Sequence, residues 1–437
     1  MIQRPRGTRD FGPDEMDKRR YLECLMRYQA GIFGFREIAT PIFEHAELFT
    51  IKSGPNILDE MYAFKDKGGR DITLRPELTA PFIRFFVNEL TDLPRPLKVF
   101  YIGPCFRYER PQSGRFREFY QFGAELIGAQ NPESDAEVIA LAAHIMEEAG
   151  LEECRIRIGH IGILRKRLRD AGVSPEAVPS ILQKLDKKLY DEARVIMERA
   201  GMDDQSMEDV IRITKISGPV SVLDGFEGES RDYLLEVANL IETSQVKKLM
   251  IDLGVIRGLD YYTGIVFEID VPKLGAEKQV CGGGSYSLSE LFGGDKVFST
   301  GFAIGFDRTL LALEKEGFKV PPRVVEAFVI PVNEGTRRRA FEITAMLRER
   351  RIPAEVDLMR RNLTKNLKYA NSIGAKKAII VGGKELEIQS VVVRDMDTGD
   401  QRVVRIDGLM DLFSVYRGNG VQGRCGGGLE NSFKEET

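Results

Sequence analysis

The sequence predicts an α+β protein of several domains, and three observations carry that prediction. Two strand-like stretches, residues 97–101 and 118–126, flank turn chemistry at 111–114, the pattern of an antiparallel hairpin. Residues 161–250 turn to dense charge and helical periodicity, broken at Gly172 and Gly201. Residues 327–412 then alternate strand patterns (327–332, 378–381, 391–393) with helical ones (336–350, 362–372), as a small α/β domain does. A chain of 437 residues has core enough for two to four domains.

The elements follow in order. Residues 14–32 place Met16, Tyr21, Leu25, Tyr28 and Ile32 near helical spacing; Gly34 ends the helix, and 35–41 reads as a strand entry. Residues 71–74 alternate as a strand, and Pro76 suits the first position of a helix bearing Leu78, Phe82, Phe85 and Phe86. A helix is expected over 135–149, after the hairpin. Strand patterns return at 248–270, followed by a glycine-rich stretch at 281–286. Residues 301–314 then open a helix, carrying Arg308, behind two glycines. Six glycines in the twenty residues after Arg417 predict a flexible tail.

Composition excludes several classes. At 43% hydrophobic and 30% charged the chain reads as soluble and globular. No apolar run reaches membrane-span length and no signal-peptide pattern opens it, so no membrane partner is expected. Five scattered cysteines without a C-x-x-C pair, and three dispersed histidines, argue against structural zinc or any side-chain metal site and fit a reducing cytoplasm. The net charge of −4 confines any nucleic-acid contact to local patches. Residues 323–417 lean that way, with 18 Lys and Arg against 13 Asp and Glu, a net of +5.

The richest segment is 105–125, where Arg107, Arg110, Arg115 and Arg117 alternate with aromatic rings. Guanidinium forks suit phosphate and flat rings suit a base; a solvated edge hairpin would look the same. In L-R-P-E-L-T-A (74–80), Glu77 falls in a first helical turn, where the dipole favours it with or without a substrate ammonium to receive. The dipole opposes Arg308 in its own first turn unless bound phosphate offsets the cost or the side chain swings into solvent. In R-G-L-D-Y-Y-T-G-I-V-F-E (257–268), a strand would put Asp260 and Tyr262 on one face and Tyr261 on the other, as pocket or as core. Gly282-Gly283-Gly284 matches neither a dinucleotide nor a Walker pattern and signals only close backbone approach.

Taken in order, Gly34-Phe35…Pro41, L-R-P-E-L-T-A, F-R-Y-E-R-P-Q-S-G-R-F-R-E-F, R-G-L-D-Y-Y-T-G and G-F-A-I-G-F-D-R resemble the class II aminoacyl-tRNA synthetases, and within them the histidyl-tRNA synthetase family. The resemblance spans about residues 3–412. It implies an antiparallel-sheet catalytic core in two parts (1–160 and 251–322) around a helical insertion (161–250). An α/β anticodon-binding domain (323–417) and a flexible tail (418–437) would follow. It further implies a homodimer with Pro41 at the interface, and L-histidine, ATP with Mg²⁺, and tRNA(His) as substrates.

Site roles follow by the same resemblance. Glu77 and Thr79 would hold the amino acid's ammonium group. Gln121, Glu125, Tyr261 and Tyr262 would line the histidine pocket, with Glu125 and Tyr262 reading the imidazole. Arg107 would meet the α-phosphate, Phe119 and Arg308 the adenine, and Glu109 and Arg115 the adenine and outer phosphates. Arg257 would stand between the histidine carboxylate and the α-phosphate, making Arg107 and Arg257 the catalytic pair. Lys166, Arg167, Arg169, Lys184, Lys187 and Lys188 would approach the acceptor arm or form a solvated surface; Arg360, Arg361, Lys365 and Lys368 would form the footprint of the C-terminal domain. Where many members read G-G-R-Y-D, this chain has Gly283-Gly284-Ser285-Tyr286-Ser287, and no role transfers there. The competing expectation is the non-catalytic, synthetase-like regulatory subunit of ATP phosphoribosyltransferase, which lacks the C-terminal domain.

Overall fold

The computed structural model describes residues 2–53, 55–109, 115–244, 246–257, 262–319 and 325–413, which fall into two units divided at residue 319. Residues 110–114, Asp260, Tyr261 and the tail 418–437 lie outside the described residues. The first unit opens with helix α1 (Pro13–Ile32), strands β1 (Arg36–Glu37) and β2 (Phe43–His45), and helix α2 (Glu47–Ser53). Strands β3 (Tyr62–Lys65) and β4 (Asp71–Leu74) lead to α3 (Thr79–Phe85) and the long hairpin arms β5 (Leu97–Phe106) and β6 (Glu118–Ile127). Then come α4 (Pro132–Glu148), β7 (Arg155–His160), helices α5 (Ile161–Asp170), α6 (Val178–Asp186), α7 (Tyr190–Arg199) and α8 (Asp204–Ile213), β8 (Ser217–Gly218) and α9 (Glu229–Thr243). β9 (Leu249–Asp252), β10 (Tyr262–Asp270), β11 (Gln279–Tyr286), β12 (Ser299–Gly305) and α10 (Phe306–Glu316) complete it.

Nine of these strands form one sheet in the order β1-β5-β6-β12-β11-β10-β7-β9-β8. Its centre is antiparallel, with Glu125 opposite Gly301 and Val99, and Gly284 opposite Gly301. Even-numbered residues of β6 bury Phe122 between Phe100 and Phe302 on one face. α4, buried along Val138, Leu141, Ala142 and Ile145, packs on that face. The opposite face takes the odd-numbered residues and builds the site.

The helices of 161–250 lie between β7 and β9, which pair in parallel, Ile156 opposite Leu249. A parallel pair needs a long crossover, and α5–α9 supply it; α9 packs against α4. Gly172 and Gly201 end their helices at φ +81° and +85°.

Two local expectations change. Pro76 does not start the helix. Glu77 turns its carboxylate onto the Thr79 and Ala80 amides at 2.8 and 3.0 Å, satisfying two free donors and setting the start at Thr79. Residues 35–41 contribute only the two-residue β1. Beyond it Arg75, 4% exposed, takes the Thr40 and Pro41 carbonyls and the Pro104 carbonyl, so a buried guanidinium replaces ladder partners. Pro41 itself is exposed.

The second unit is a five-stranded sheet, β14 (Ala354–Val356), β13 (Val325–Pro331), β15 (Ala375–Val381), β16 (Ser390–Asp395) and β17 (Gln401–Arg405) in that spatial order. The first three are parallel, linked through α11 (Arg337–Glu349) and α12 (Leu363–Ser372); α13 (Gly383–Glu387) precedes the antiparallel β16. Val329, Ile343, Leu347, Ile379 and Val391 form its core.

Candidate active site

Two adjoining cavities open on the odd-residue face. One, about 310 Å³, is lined by Glu77, Thr79, Gln121, Glu125, Tyr262 and Tyr286. The other, about 320 Å³, is lined by Glu109, Arg115, Phe119, Asp307 and Arg308. Arg107, Gln121, Arg257, Gly282 and Ala303 line both, so the cavities share a wall with two arginines in it.

Glu125 is the deepest group of the first cavity, 1% exposed. Its carboxylate accepts from Tyr101 Oη at 2.6 Å, Tyr286 Oη at 2.7 Å and Thr79 Oγ1 at 3.0 Å. Burial pushes its pKa up from 4.5 to about 7 against those three donors. Gly301 makes room for it, since a Cβ there would overlap Glu125 Oε2. Tyr101 carries a phenol raised well above its ordinary value by burial and by this carboxylate, so it stays a donor. Gln121 Oε1 accepts from the Cys105 thiol at 3.4 Å, and burial pushes that thiol up to about 12.

Arg257 follows β9 at φ +53°, a left-handed conformation that costs a side-chain-bearing residue roughly 1–3 kcal/mol and concentrates at functional sites. Its guanidinium crosses β11 at Gly282, where any Cβ would collide with it. Nη1 lies 3.8 Å from Glu268 Oε1, and the other Glu268 oxygen accepts from Arg157 at 2.5 Å. Arg157 also binds Asp252 and Asp270, each at 2.9 Å, so three carboxylates on β9 and β10 fix it. Arg107 donates to the Pro76 carbonyl at 3.1 Å and lies 5.1 Å from the Phe119 ring centroid.

In the second cavity Arg308 stands in the first turn of α10, as expected, and donates to the Gln279 carbonyl at 3.0 Å. Beside it Asp307, 8% exposed, binds Arg19 at 2.6 Å, Arg9 at 2.7 Å and the Tyr120 amide at 2.9 Å. Arg9 in turn lies 3.4 Å from the Phe116 ring centroid. Arg115 faces Glu109 at 4.0 Å. Arg117 leaves the cavity to pack on Tyr108 at 4.3 Å and to bind the Glu109 carbonyl. Of the four hairpin arginines, then, Arg107 and Arg115 line the cleft, Arg117 supports its loop, and Arg110 lies outside the described residues.

Every residue assigned above to histidine or ATP lines one of the two cavities, except Tyr261, which lies outside the described residues. Sequence reasoning missed Tyr101, Tyr286, Glu268, Arg157 and Asp307. Their partners are distant in sequence; only the polarity of Asp307 and Glu268 within apolar stretches marked them. Elsewhere, Lys166 and Lys184 pair with Asp170 and Glu192, while Arg167, Arg169, Lys187 and Lys188 are exposed. In the second unit Arg360 is exposed, whereas Arg361 packs on Tyr369 at 4.2 Å.

The histidyl-tRNA synthetase family profile matches residues 7–309, and an anticodon-binding domain profile matches 326–415. The histidine–tRNA ligase of Archaeoglobus fulgidus is 45% identical over 95% of this chain and all of its own length. That of Methanosarcina acetivorans is 43% identical over 94% of this chain and 98% of its own. The crystal structure of apo S. aureus histidyl-tRNA synthetase superposes with a TM-score of 0.73 at 30% identity, covering 95% of this chain and 100% of that one. An antiparallel sheet bearing this paired cleft, with these matches, is the core of an ATP-dependent aminoacyl-tRNA synthetase of class II. Within that class, the chain belongs to the histidyl-tRNA synthetase family.

Proposed function

We propose that this chain activates L-histidine with ATP and then transfers histidine to the 3′-terminal ribose of tRNA(His). The observation that carries the proposal is the shared wall: Arg107 and Arg257 line both a cavity ending in the Glu125 carboxylate and an adjoining one lined by Phe119 and Arg308.

The chemistry suits that wall. The substrate carboxylate is already ionised at neutral pH and needs no general base. One of its oxygens attacks the α-phosphorus, the new C–O–P linkage forms, and pyrophosphate leaves with the electron pair of the broken P–O bond. Two fixed guanidinium groups bring the anions together and stabilise the charge that builds on the phosphorus. In the second step a ribose hydroxyl attacks the activated carbonyl and AMP departs. ATP enters with magnesium as its counterion.

We assign selectivity for the imidazole to Glu125 and Tyr262: an imidazole adds a polar partner to the Glu125 carboxylate beside its three hydroxyl donors, and an apolar side chain adds none. With a buried carboxylate near 7 and an imidazole near 6.5, the pair holds about one proton between them at neutral pH. We further assign tRNA contact to the second unit, with exposed Arg360, Lys365 and Lys368 as its basic side chains, and a homodimer through the Pro41 region. The regulatory-subunit reading is disfavoured by the anticodon-binding profile over 326–415.

Amino-acid-dependent ATP–pyrophosphate exchange across all twenty amino acids, without tRNA, tests the proposal. Exchange with histidine alone is the expected result. Histidine binding without exchange would overturn it in favour of the regulatory relative.

A further inference from the structure

Residues 4–12, ahead of α1, carry none of the roles assigned above, yet they touch two of the elements that line the second cavity. The Arg117 amide, one residue before β6, donates to the Gly7 carbonyl at 2.9 Å. Gly7 sits at φ +87°, and a Cβ there would lie 2.7 Å from Arg117 Cγ, so this close approach requires glycine. The Thr8 hydroxyl and amide both donate to the Pro5 carbonyl, at 2.8 and 3.2 Å, closing the turn that leads into Arg9.

Arg9 makes two contacts at once. Its Nη2 lies 2.7 Å from Asp307 Oδ1, and its Cζ lies 3.4 Å from the centroid of the Phe116 ring, with the Phe11 ring at 4.9 Å. A guanidinium can do both because its plane covers a ring while its edge binds a carboxylate. The side chain is only 26% exposed, and partial desolvation strengthens a cation over a ring. Phe116 and Asp307 line the second cavity and not the first, Phe116 from the hairpin and Asp307 from the first turn of α10, next to Arg308. Arg9 therefore ties together the two sides of one cavity. It covers one face of Phe116 and leaves the other for the cavity. Asp307 keeps Arg19 and the Tyr120 amide without it, so Arg9 is not what holds α10 in the fold.

We propose that Arg9 is a positioning residue for the nucleotide. Acting through Phe116 and Asp307, it sets the separation of the hairpin from the first turn of α10, so that ATP enters a slot already at its bound width with Phe116 as an additional contact. The inference rests on reading the second cavity as the ATP site. Fixing the walls beforehand removes an ordering cost from binding, and that gain belongs to ATP and not to histidine.

Calorimetric titrations of the full chain with Mg·ATP and, separately, with L-histidine test this, alongside melting temperatures. Arg9→Ala should weaken ATP binding on the order of tenfold, as loss of a partly desolvated cation–ring contact does, with the histidine Kd unchanged. Arg9→Lys keeps a cation for Asp307 but offers no plane to the ring. It should melt with the wild type and still bind ATP several-fold more weakly. Arg9→Ala combined with Phe116→Ala should lose less than the sum of the two single losses. If Arg9→Ala does not fold, Arg9→Lys decides alone. Undiminished ATP affinity in the Arg9 variants, a loss shared by histidine, full recovery of ATP affinity by lysine, or strict additivity with Phe116→Ala overturns the proposal. A wild-type chain that binds no ATP would overturn this inference and the assignment of the cavity together, whereas normal ATP binding that ignores position 9 overturns this inference alone.

Discussion

Replacing Glu125 by Gln should change the pH dependence of folding in a way that no surface carboxylate can. Burial lifts the Glu125 pKa from 4.5 to about 7. At about 1.4 kcal/mol per tenfold change in the protonation equilibrium, ionising it in the folded chain costs about 3 kcal/mol more than in the unfolded chain. The folded pKa is the higher one, so this stability is fully present below 4.5 and is lost as pH rises through 7. Glutamine does not ionise and escapes the loss, although with one acceptor oxygen fewer for three hydroxyls it pays a pH-independent cost of about 1 kcal/mol. The variant's stability relative to wild type should therefore climb by up to about 3 kcal/mol across that window and be flat on either side. Urea denaturation of both proteins over the window measures the climb. A carboxyl ¹³C resonance missing from the variant should titrate with a midpoint near 7. A midpoint near 4.5, or a stability difference independent of pH, would refute the reasoning. Histidine's KM in pyrophosphate exchange should also rise roughly 10–100-fold in this variant, the worth of a hydrogen bond to a charged group.

Arg257→Ala should lower the exchange rate by roughly 10²–10³ while circular dichroism stays unchanged; near-normal exchange would remove Arg257 from the reaction. Gly282→Ala should approach the same loss, because its Cβ meets the Arg257 guanidinium, and a wild-type kcat would show that the arm can move aside. Asp307→Asn leaves Arg19 buried with its counter-charge gone, for a destabilisation of about 3–5 kcal/mol by denaturant titration; a loss below that range would mean the network is solvated. A chain ending at Pro322 should keep histidine-dependent exchange and lose tRNA charging, and equal loss of both would show that the units do not separate.

What the sequence made legible was whatever repeats at short range. The period of two along 97–101 and 118–126 anticipated β5 and β6, helical spacing anticipated α1, and the glycines ahead of Arg308 anticipated the opening of α10. Residue chemistry at 105–125 suited a phosphate-and-base site and a solvated hairpin alike, and the structure puts Arg107 and Arg115 on the cleft wall. Pro76 misled because a side-chain cap at Glu77, invisible to periodicity, outcompetes the proline's preference for a first turn. β14 carries only three residues, and the Q-R-V-V-R of β17 sets its two valines side by side, so neither shows alternation. The cage around Glu125 joins positions 79, 101, 125 and 286, and no local pattern encodes such a meeting. The glycine run gave the fairest hint: Gly282 reads as close approach, and what approaches it is Arg257, whereas Gly301, which makes room for Glu125, reads in the sequence only as a glycine ahead of a helix.

The parallel pairing of β7 with β9 also orders events during folding. β9 finds its place only when the chain has closed a loop holding all of α5–α9, an entropic delay that the hairpin β5–β6 does not share. Arg257 follows β9 by a few residues, and the Asp252 carboxylate on β9 helps hold Arg157. The hairpin β5–β6 can thus form early, while Arg257 arrives with a pairing that closes only after the crossover is in place. Catalytic competence during refolding should then trail the recovery of bulk secondary structure, making the first active molecules a clock for closure of the crossover.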